Sequence, residues 1–476
     1  MPTHHYLLSS GSAARPTTKP RTAMTLLIRI GQRILLTLLG LLLFTVALGW
    51  ATGFFAAATA VGTGMGAKLL CSAEHVMGQD RDQARQDLEQ YSALLTYLTV
   101  TYNDDEKSVS ANLLGSQEKT ASFVPGLGCA IDDASYETRQ RLTVPIAITS
   151  PGDVWPAGSQ VSAATLPLQT LVDELVQEDN SEGLNTRALL VVHRGQVVAE
   201  TYAQGASATT PLLGWSMAKS MTAVMLGNLE YRGLLTDVES PLFNAWSQDE
   251  RADIDLFDLL TMTDGIDFSE AYLPGDDATA MLFNSPSVGA YAIAQPLAEP
   301  PGRHFNYSSG TANILAYLYT EILGGPQAAL ADFSDHIARP LGLQHAVFEV
   351  DASGRFIGSS YLYASARDWA RLGQLMLAKG KINGYRLLSE DWVERATTPN
   401  GSNNYRAYGY QWWLNRGNTT LRFPKLPADA FFASGNRRQF LMVFPSHDTI
   451  IVRLGWTDGD YPVADRFHRL LTAIAD

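Results

Sequence analysis

Residues 34–67 contain no charged side chain, and the first acidic residue of the chain is Glu74, whereas Arg15, Lys19, Arg21, Arg29 and Arg33 all precede the uncharged stretch. A backbone in lipid must satisfy its own hydrogen bonds, so such a stretch reads as a helix. Ile34 to about Val61 exceeds the roughly 20 residues that cross a bilayer and the roughly 7 to 15 apolar residues of a cleaved signal. The positive charges on its N-terminal side fix its orientation. The expected organisation is a basic cytoplasmic segment (1–33), a transmembrane signal anchor (34–66), and an extracytoplasmic, periplasmic body tethered to the inner membrane by this single pass. Cleavage within the small-residue run Ala56–Ala60 is the competing reading, and Met24 is an alternative start. Gly62, Gly64 and Gly66 fall at the end of the anchor, outside any strand-to-helix turn, and do not form a nucleotide loop.

The 476-residue chain is 46% hydrophobic and 17% charged, with a net charge of −13. This composition gives ample core for a domain of about 300 residues with an appendage. The negative balance, with no basic patch beyond the N-terminus, excludes nucleic acid as a partner. Residues 67–160 read as a small extension with a helix over Asp80–Tyr97 and a hairpin from Leu98–Tyr102 and Ser108–Leu114. Cys71 and Cys129 both fall on the exported side, where an oxidising compartment favours a disulfide worth roughly 4 kcal/mol; two separate thiols are the alternative. No spacing of His, Cys or acidic residues predicts a metal site, and no cofactor is implied.

Residues 161–476 open with a strand pair, Ala188–Val192 and Val197–Tyr202. They close with three more strand candidates, Phe431–Ser434, Phe440–Phe444 and Thr449–Leu454, and a helix over Pro462–Ala475. Between them, Ser216 to about Glu394 is mostly helical. An antiparallel sheet built from both ends of a domain, with a helical subdomain inserted, is an α+β architecture.

Ser216 and Lys219 stand three residues apart, one turn of a helix, with both side chains on one face. Met217, Met221, Val224, Met225 and Leu229 supply the apolar stripe of that helix, and Gly233 can end it. A serine hydroxyl needs a base to become a nucleophile, and a lysine serves only when burial lowers its pKa by roughly 3 units. Ser116 and Lys119 repeat the spacing in a polar loop with no apolar stripe, where Glu118 would keep the lysine charged, so this second pair is a decoy. For Ser216 the bland alternative is an N-cap serine with a solvated lysine. Tyr307 precedes a helix over Thr311–Leu323 and can relay protons. The strand Phe432–Asn436, with Ser434, Gly435 and Asn436, can present backbone N–H groups to a developing oxyanion together with that of Ser216.

Ser216-Met217-Ala218-Lys219 and Tyr307-Ser308-Ser309, supported by Leu259–Gly265, Tyr408–Trp413 and Ala433–Gly455, resemble the serine β-lactamase-related hydrolases. This family includes class C β-lactamases, D-alanyl-D-alanine carboxypeptidases, family VIII esterases and 6-aminohexanoate-dimer hydrolases. The resemblance implies a β-lactamase/transpeptidase-like fold and hydrolysis of a small-molecule or peptide-like amide or ester through an acyl-enzyme on Ser216. It also implies substrate contacts from Ser309. Two positions depart from the family pattern. Ser309 stands where Asn is common, and Ala433 replaces the basic residue of the Lys-Thr-Gly motif, which weakens recognition of a penicillin or acyl-D-alanine carboxylate. Arg437 or Arg438 either restores that charge or is a solvated surface residue. The pattern therefore favours amide and ester hydrolases of the 6-aminohexanoate-dimer type over a carboxypeptidase or β-lactamase.

Two other readings remain open. Gly214–Ala218 approximates a Gly-x-Ser-x-Gly elbow, which would make His447 or His468 the base. The other is a non-catalytic, membrane-tethered binding protein on the same fold. The Tyr408–Trp413 aromatics are read as core.

Overall fold

The computed structural model describes residues 21–475 apart from 134–135, 146–151, 162–165, 236–239 and 405, so Arg15 and Lys19 lie outside the described residues. In chain order the helices are α1 (Arg21–His75), α2 (Arg81–Glu89), α3 (Tyr136–Gln140), α4 (Leu166–Ser181), α5 (Ala218–Tyr231), α6 (Leu256–Thr261), α7 (Asp277–Asn284), α8 (Val288–Ile293), α9 (Ser309–Ile322), α10 (Pro326–Asp332), α11 (Arg339–Leu341), α12 (Ala366–Leu377), α13 (Glu390–Ala396) and α14 (Val463–Ala475). The strands are β1 (Leu98–Asn103), β2 (Ser108–Leu113), β3 (Lys119–Val124), β4 (Gly128–Ile131), β5 (Thr186–His193), β6 (Gln196–Tyr202), β7 (Leu212–Leu213), β8 (Ala346–Phe348), β9 (Leu362–Ala364), β10 (Lys381–Ile382), β11 (Tyr385–Arg386), β12 (Trp413–Leu414), β13 (Phe431–Gly435), β14 (Gln439–Phe444) and β15 (Thr449–Gly455).

The main sheet runs β12-β13-β14-β15-β5-β6 with every neighbour antiparallel, so the last strand of the chain pairs with the first strand of the domain, Ile451 opposite Val191. Side chains alternate across a strand. Leu190, Val192, Leu441, Val443, Ile450 and Val452 therefore enter the core shared with the helical region, while Leu189, Val191, Met442, Phe444 and Ile451 pack on the other face. That second face is covered by Leu168, Val172 and Leu175 of α4 and by Phe467, Leu470 and Leu471 of α14. A strand buried on both faces needs a continuous apolar run, which is what β5 carries. The fold is the α+β, β-lactamase/transpeptidase-like arrangement.

Residues up to Ala56 form one compact unit and those from Ala57 another. In the first, the apolar stretch Ile28–Thr45 is long enough to cross a membrane and none of it is buried. In the second, α1 behaves differently: Ala58, Val61, Ala67, Leu69, Leu70 and Cys71 belong to the protein core. The expected anchor (34–66) is therefore divided, because its last residues are a packed core helix. The glycines explain the packing. A Cβ on Gly62 would meet Leu113 at 2.6 Å, on Gly64 the carbonyl oxygen of Phe283 at 2.1 Å, and on Gly66 Leu98 at 2.3 Å. Elements on both sides thus approach the helix backbone more closely than any side chain allows.

The expected boundary at residue 160 does not coincide with a break in packing either, since the extension shares one core with the helical region. β1 to β4 form a four-stranded antiparallel sheet, and a Cys71–Cys129 disulfide joins α1 to β4. Below it, Lys68 forms a fully buried ion pair with Glu349, which also accepts hydrogen bonds from Ser72 Oγ and Cys129 N, each at 2.8 Å. The helix expected over Asp80–Tyr97 is shorter. Asp80 caps α2, which ends at Glu89, and Ser92 caps a separate 3₁₀ turn over Ala93–Tyr97. Two competing side-chain caps within 13 residues break the run.

Candidate active site

Leu212–Leu213 pairs with β9 and delivers the chain into a 3₁₀ turn, Trp215–Met217, that runs directly into α5. The two-residue strand is too short for the hydrolase elbow. Trp215 has φ +49, a left-handed conformation costly for a tryptophan, and it stands immediately before Ser216. Its ring is held between Tyr91 of the extension, Tyr361 and Trp456, with centroids 6.1, 5.8 and 6.4 Å away. Ser216 makes no cap hydrogen bond to the helix. The N-cap alternative thus fails on geometry, and the partly exposed hydroxyl meets side chains of the site instead of the helix backbone.

Helix α5 is more buried than an amphipathic stripe predicts: every residue from Ala218 to Leu229 is inside. It is the central helix of the body, and its polar residues are satisfied individually. Ser220 Oγ donates to the carbonyl of Gln411 at 2.7 Å, Thr222 Oγ1 to that of Gly358 at 2.9 Å, and Asn228 Nδ2 to that of Leu387 at 3.0 Å. Gly233, at φ +75, follows the helix end.

Lys219 is 1% exposed, so it is not a solvated lysine. Its Nζ lies 3.1 Å from Ser216 Oγ, 3.0 Å from Ser309 Oγ and 3.1 Å from the carbonyl of Ser359. None of these partners carries a negative charge. Burial lowers the ammonium pKa from 10.5 to about 8, with the more distant Glu270 carboxylate opposing.

Ser309 begins α9, which Ser308 caps by accepting from Thr311 N at 3.1 Å. The residue that sequence reasoning missed is Glu270. Its Oε1 accepts from Ser309 Oγ at 2.6 Å and from Tyr272 OH at 2.9 Å, and its Oε2 accepts from Ser309 N at 2.8 Å. Glu270 and Tyr272 lie on a loop with no periodicity or motif, and only the fold brings them to α9. Tyr307 stands with Lys219 Nζ 4.9 Å from its ring centroid and stacks on Trp413 at 5.2 Å. Burial raises its hydroxyl pKa, and a hydrogen bond with Ser216 opposes that shift. Trp413, read from sequence as core, is thus a partly exposed wall of the site, whereas Tyr408 and Trp412 are buried as expected.

The end of β13 lies against the turn that carries Ser216. A Cβ on Gly435 would come within 2.1 Å of the carbonyl oxygen of Gly214 and 3.1 Å of Trp215 Cβ, so only glycine fits there. Ser434 pairs with Phe440 in the sheet, and the exposed Asn436 opens the turn that follows. Ser216, Lys219, Tyr307, Ser309 and the β13 end are therefore assembled in one place. The decoy pair is not: Ser116 Oγ bonds Thr63 Oγ1 at 2.7 Å, and Lys119 donates to Asn284 and to the carbonyl of Phe283. His447 bonds Ser446 in the β14–β15 turn, and His468 lies on α14.

The β-lactamase family model matches residues 168–474. The chain is 26% identical over 314 residues to the 6-aminohexanoate-dimer hydrolase of Paenarthrobacter ureafaciens, covering 60% of this chain and 76% of that one. Among solved structures, a Bacillus anthracis protein described as a 6-aminohexanoate-dimer hydrolase superposes with a TM-score of 0.53 at 20% identity, covering 72% and 93% of the two chains. An octameric penicillin-binding protein homologue from Pyrococcus abyssi gives 0.52 at 16% identity, covering 64% and 77%. A family VIII carboxylesterase gives 0.50 at 16%, covering 66% and 100%. The chain belongs to the β-lactamase family of serine hydrolases.

Proposed function

We propose that the chain cleaves amide or ester bonds of small-molecule or peptide-like substrates through an acyl-enzyme on Ser216. The observation that carries this reading is the buried Lys219 ammonium, within hydrogen-bond reach of Ser216 Oγ and, among the described residues, without a contacting carboxylate, whose pKa is lowered by burial to about 8. In its neutral form Lys219 takes the proton of Ser216 as Oγ attacks the carbonyl carbon. The tetrahedral oxyanion is received by the backbone N–H of Ser216 and by those at the Ser434–Asn436 strand end. Its collapse breaks the scissile bond, and the leaving amine or alcohol takes a proton from the lysine side through Tyr307 OH. Water then attacks the ester with the same groups reversed, restoring Ser216.

Ala433 leaves the third motif without its usual cation, which favours ester and 6-aminohexanoate-type amide substrates over penicillins and acyl-D-alanine. The apolar helix over Ile28–Thr45 is the proposed single-pass inner-membrane anchor. The disulfide suits an oxidising, periplasmic location for the body.

The full chain in detergent is tested with p-nitrophenyl esters, 6-aminohexanoate dimer, D-alanyl peptides and nitrocefin, with Ser216→Ala as control. Ser216-dependent turnover is expected on the first two, and slower or none on the others. Absence of Ser216-dependent turnover on all four would favour a non-catalytic binding protein.

A further inference from the structure

Trp215, at φ +49, sits between Gly214 and Ser216 in a backbone conformation that a bulky side chain keeps only where its surroundings over-determine it. Gly214 is fixed on its own account: its N–H donates to the carbonyl of Leu362 at 3.0 Å, and a Cβ there would meet the Trp369 ring at 2.2 Å. Rotation about the N–Cα bond of Trp215 would swing its side chain and the Ser216 peptide together relative to Gly214. Holding the indole in place therefore holds the serine in place.

Much of what holds the indole precedes the family region, which begins at residue 168. Tyr91, between α2 and the 3₁₀ turn Ala93–Tyr97, meets Trp215 edge-on at an interplanar angle of 70°. It meets Trp456 in the same way, with ring centroids 5.9 Å apart and an angle of 86°. Trp456 is tied to the extension as well, since its Nε1 donates to the carbonyl of Asp87 in α2 at 3.0 Å. Two aromatic neighbours of Trp215 are each backed by a buried cation. The Arg437 guanidinium lies 4.1 Å from the centroid of Tyr91, and the Lys68 ammonium lies 4.1 Å from that of Tyr361. Edge-to-face ring pairs and a desolvated cation over a ring both favour one fixed geometry. Tyr91 cannot turn away without losing Trp215, Trp456 and Arg437 together.

We infer that Tyr91 of the N-terminal extension is a positioning residue for the hydrolase site. Through the Trp215 ring it holds the left-handed turn that sets Ser216 Oγ 3.1 Å from Lys219 Nζ. The inference rests on the proposed reading of Ser216 as the nucleophile. It gives the extension a part in rate and none in substrate affinity, because Tyr91 acts on the serine and not on the substrate.

The full chain in detergent is labelled with a fluorophosphonate, whose phosphorus bonds Ser216 Oγ as fluoride leaves. Its saturation curve separates the limiting rate from the half-saturating concentration. A small misplacement of a reacting atom costs rate steeply, so Tyr91→Leu should lower the limiting rate at least ~10-fold and shift half-saturation less than ~2-fold. Tyr91→Phe keeps the ring contacts and should label within ~2-fold of wild type. A merely structural Tyr91 would lower the Tm of Tyr91→Leu and leave its limiting rate at the wild-type value, and that result would overturn the inference.

The left-handed turn gives a second signature, one that survives should Tyr91→Leu fail to fold. With the indole gone, glycine adopts φ +49 freely and alanine does not, so Trp215→Gly should label at least ~3-fold faster than Trp215→Ala. Equal rates would overturn the inference. Tyr91→Leu added to Trp215→Gly should change the rate by less than ~2-fold, because the residue through which Tyr91 acts is already gone. A further tenfold loss there would equally overturn it. Folded wild-type protein left unlabelled at Ser216 would fail the hydrolase reading itself, whereas Ser216 labelling indifferent to Tyr91 and Trp215 fails only the positioning.

Discussion

Ser309 links the two ionisable groups of the site: its hydroxyl donates to Glu270 Oε1 at 2.6 Å, and its oxygen lies 3.0 Å from Lys219 Nζ. This hydroxyl bridges the carboxylate to the lysine, and the carboxylate charge opposes the burial that lowers the lysine pKa to about 8. The rate of ester hydrolysis should therefore rise with pH through an apparent pKa near 8, as Lys219 loses its proton. Glu270→Gln removes the opposing charge, so the midpoint of the kcat/KM profile should move to lower pH. A midpoint unmoved by this substitution would reduce Glu270 to a structural hydrogen-bond acceptor.

Lys219 is also costly to the fold. Its folded pKa is about 8 against an ordinary 10.5. Below pH 8 both states are protonated and the folded state carries the full burial penalty. Between pH 8 and 10.5 the unfolded chain binds more protons, so stability rises with pH. Lys219→Met should stabilise the protein by ~1–3 kcal/mol at pH 7, an advantage that shrinks toward pH 10.5, while abolishing hydrolysis. Calorimetric melting at the two pH values checks this; a lower Tm at pH 7 would contradict it.

The division of α1 predicts where the chain tolerates truncation. Starting at residue 57 removes the exposed apolar stretch but keeps the core helix, and should leave Tm and hydrolysis nearly unchanged. A start at residue 76 deletes Leu69, Leu70, Cys71 and Lys68 from the core and should give no folded protein. Circular dichroism and size exclusion distinguish the two outcomes.

Glu349→Ala leaves the Lys68 ammonium buried and unpaired, and should cost about 3–5 kcal/mol. Replacing both partners with apolar residues, Lys68→Met with Glu349→Leu, should recover most of that loss. Urea midpoints of the single and double variants provide the comparison. A double variant as unstable as the single would mean that the Ser72 and Cys129 contacts of Glu349, rather than the charge, set its worth.

Local patterns carried the main sheet and the Ser216–Lys219 pair. β5, β14 and β15 carry long apolar runs, and the serine and lysine one turn apart mark the start of α5, with Ser216 in the turn before it and Lys219 in its first turn. The patterns failed where only tertiary packing decides. An uncharged, small-residue run suits a lipid-facing helix and a core helix equally, and the division of α1 depends on Leu98, Leu113 and Phe283, distant in the chain. Glu270 and Tyr272 sit in an aperiodic loop. Trp413 belongs to an aromatic run whose buried and site-facing members look alike in sequence. Arg437 and Arg438 are neighbours in the turn after β13, and nothing in the sequence distinguishes the buried one from the exposed one.

The central claim is a covalent intermediate on Ser216. Intact-protein and peptide mass spectrometry of the full chain treated with a fluorophosphonate tests it most directly. The account predicts one adduct, on the peptide containing Ser216, absent from Ser216→Ala and formed at least ~100-fold more slowly in Lys219→Met. An unmodified Ser216 in folded protein, or labelling that survives Lys219→Met at the wild-type rate, would contradict it.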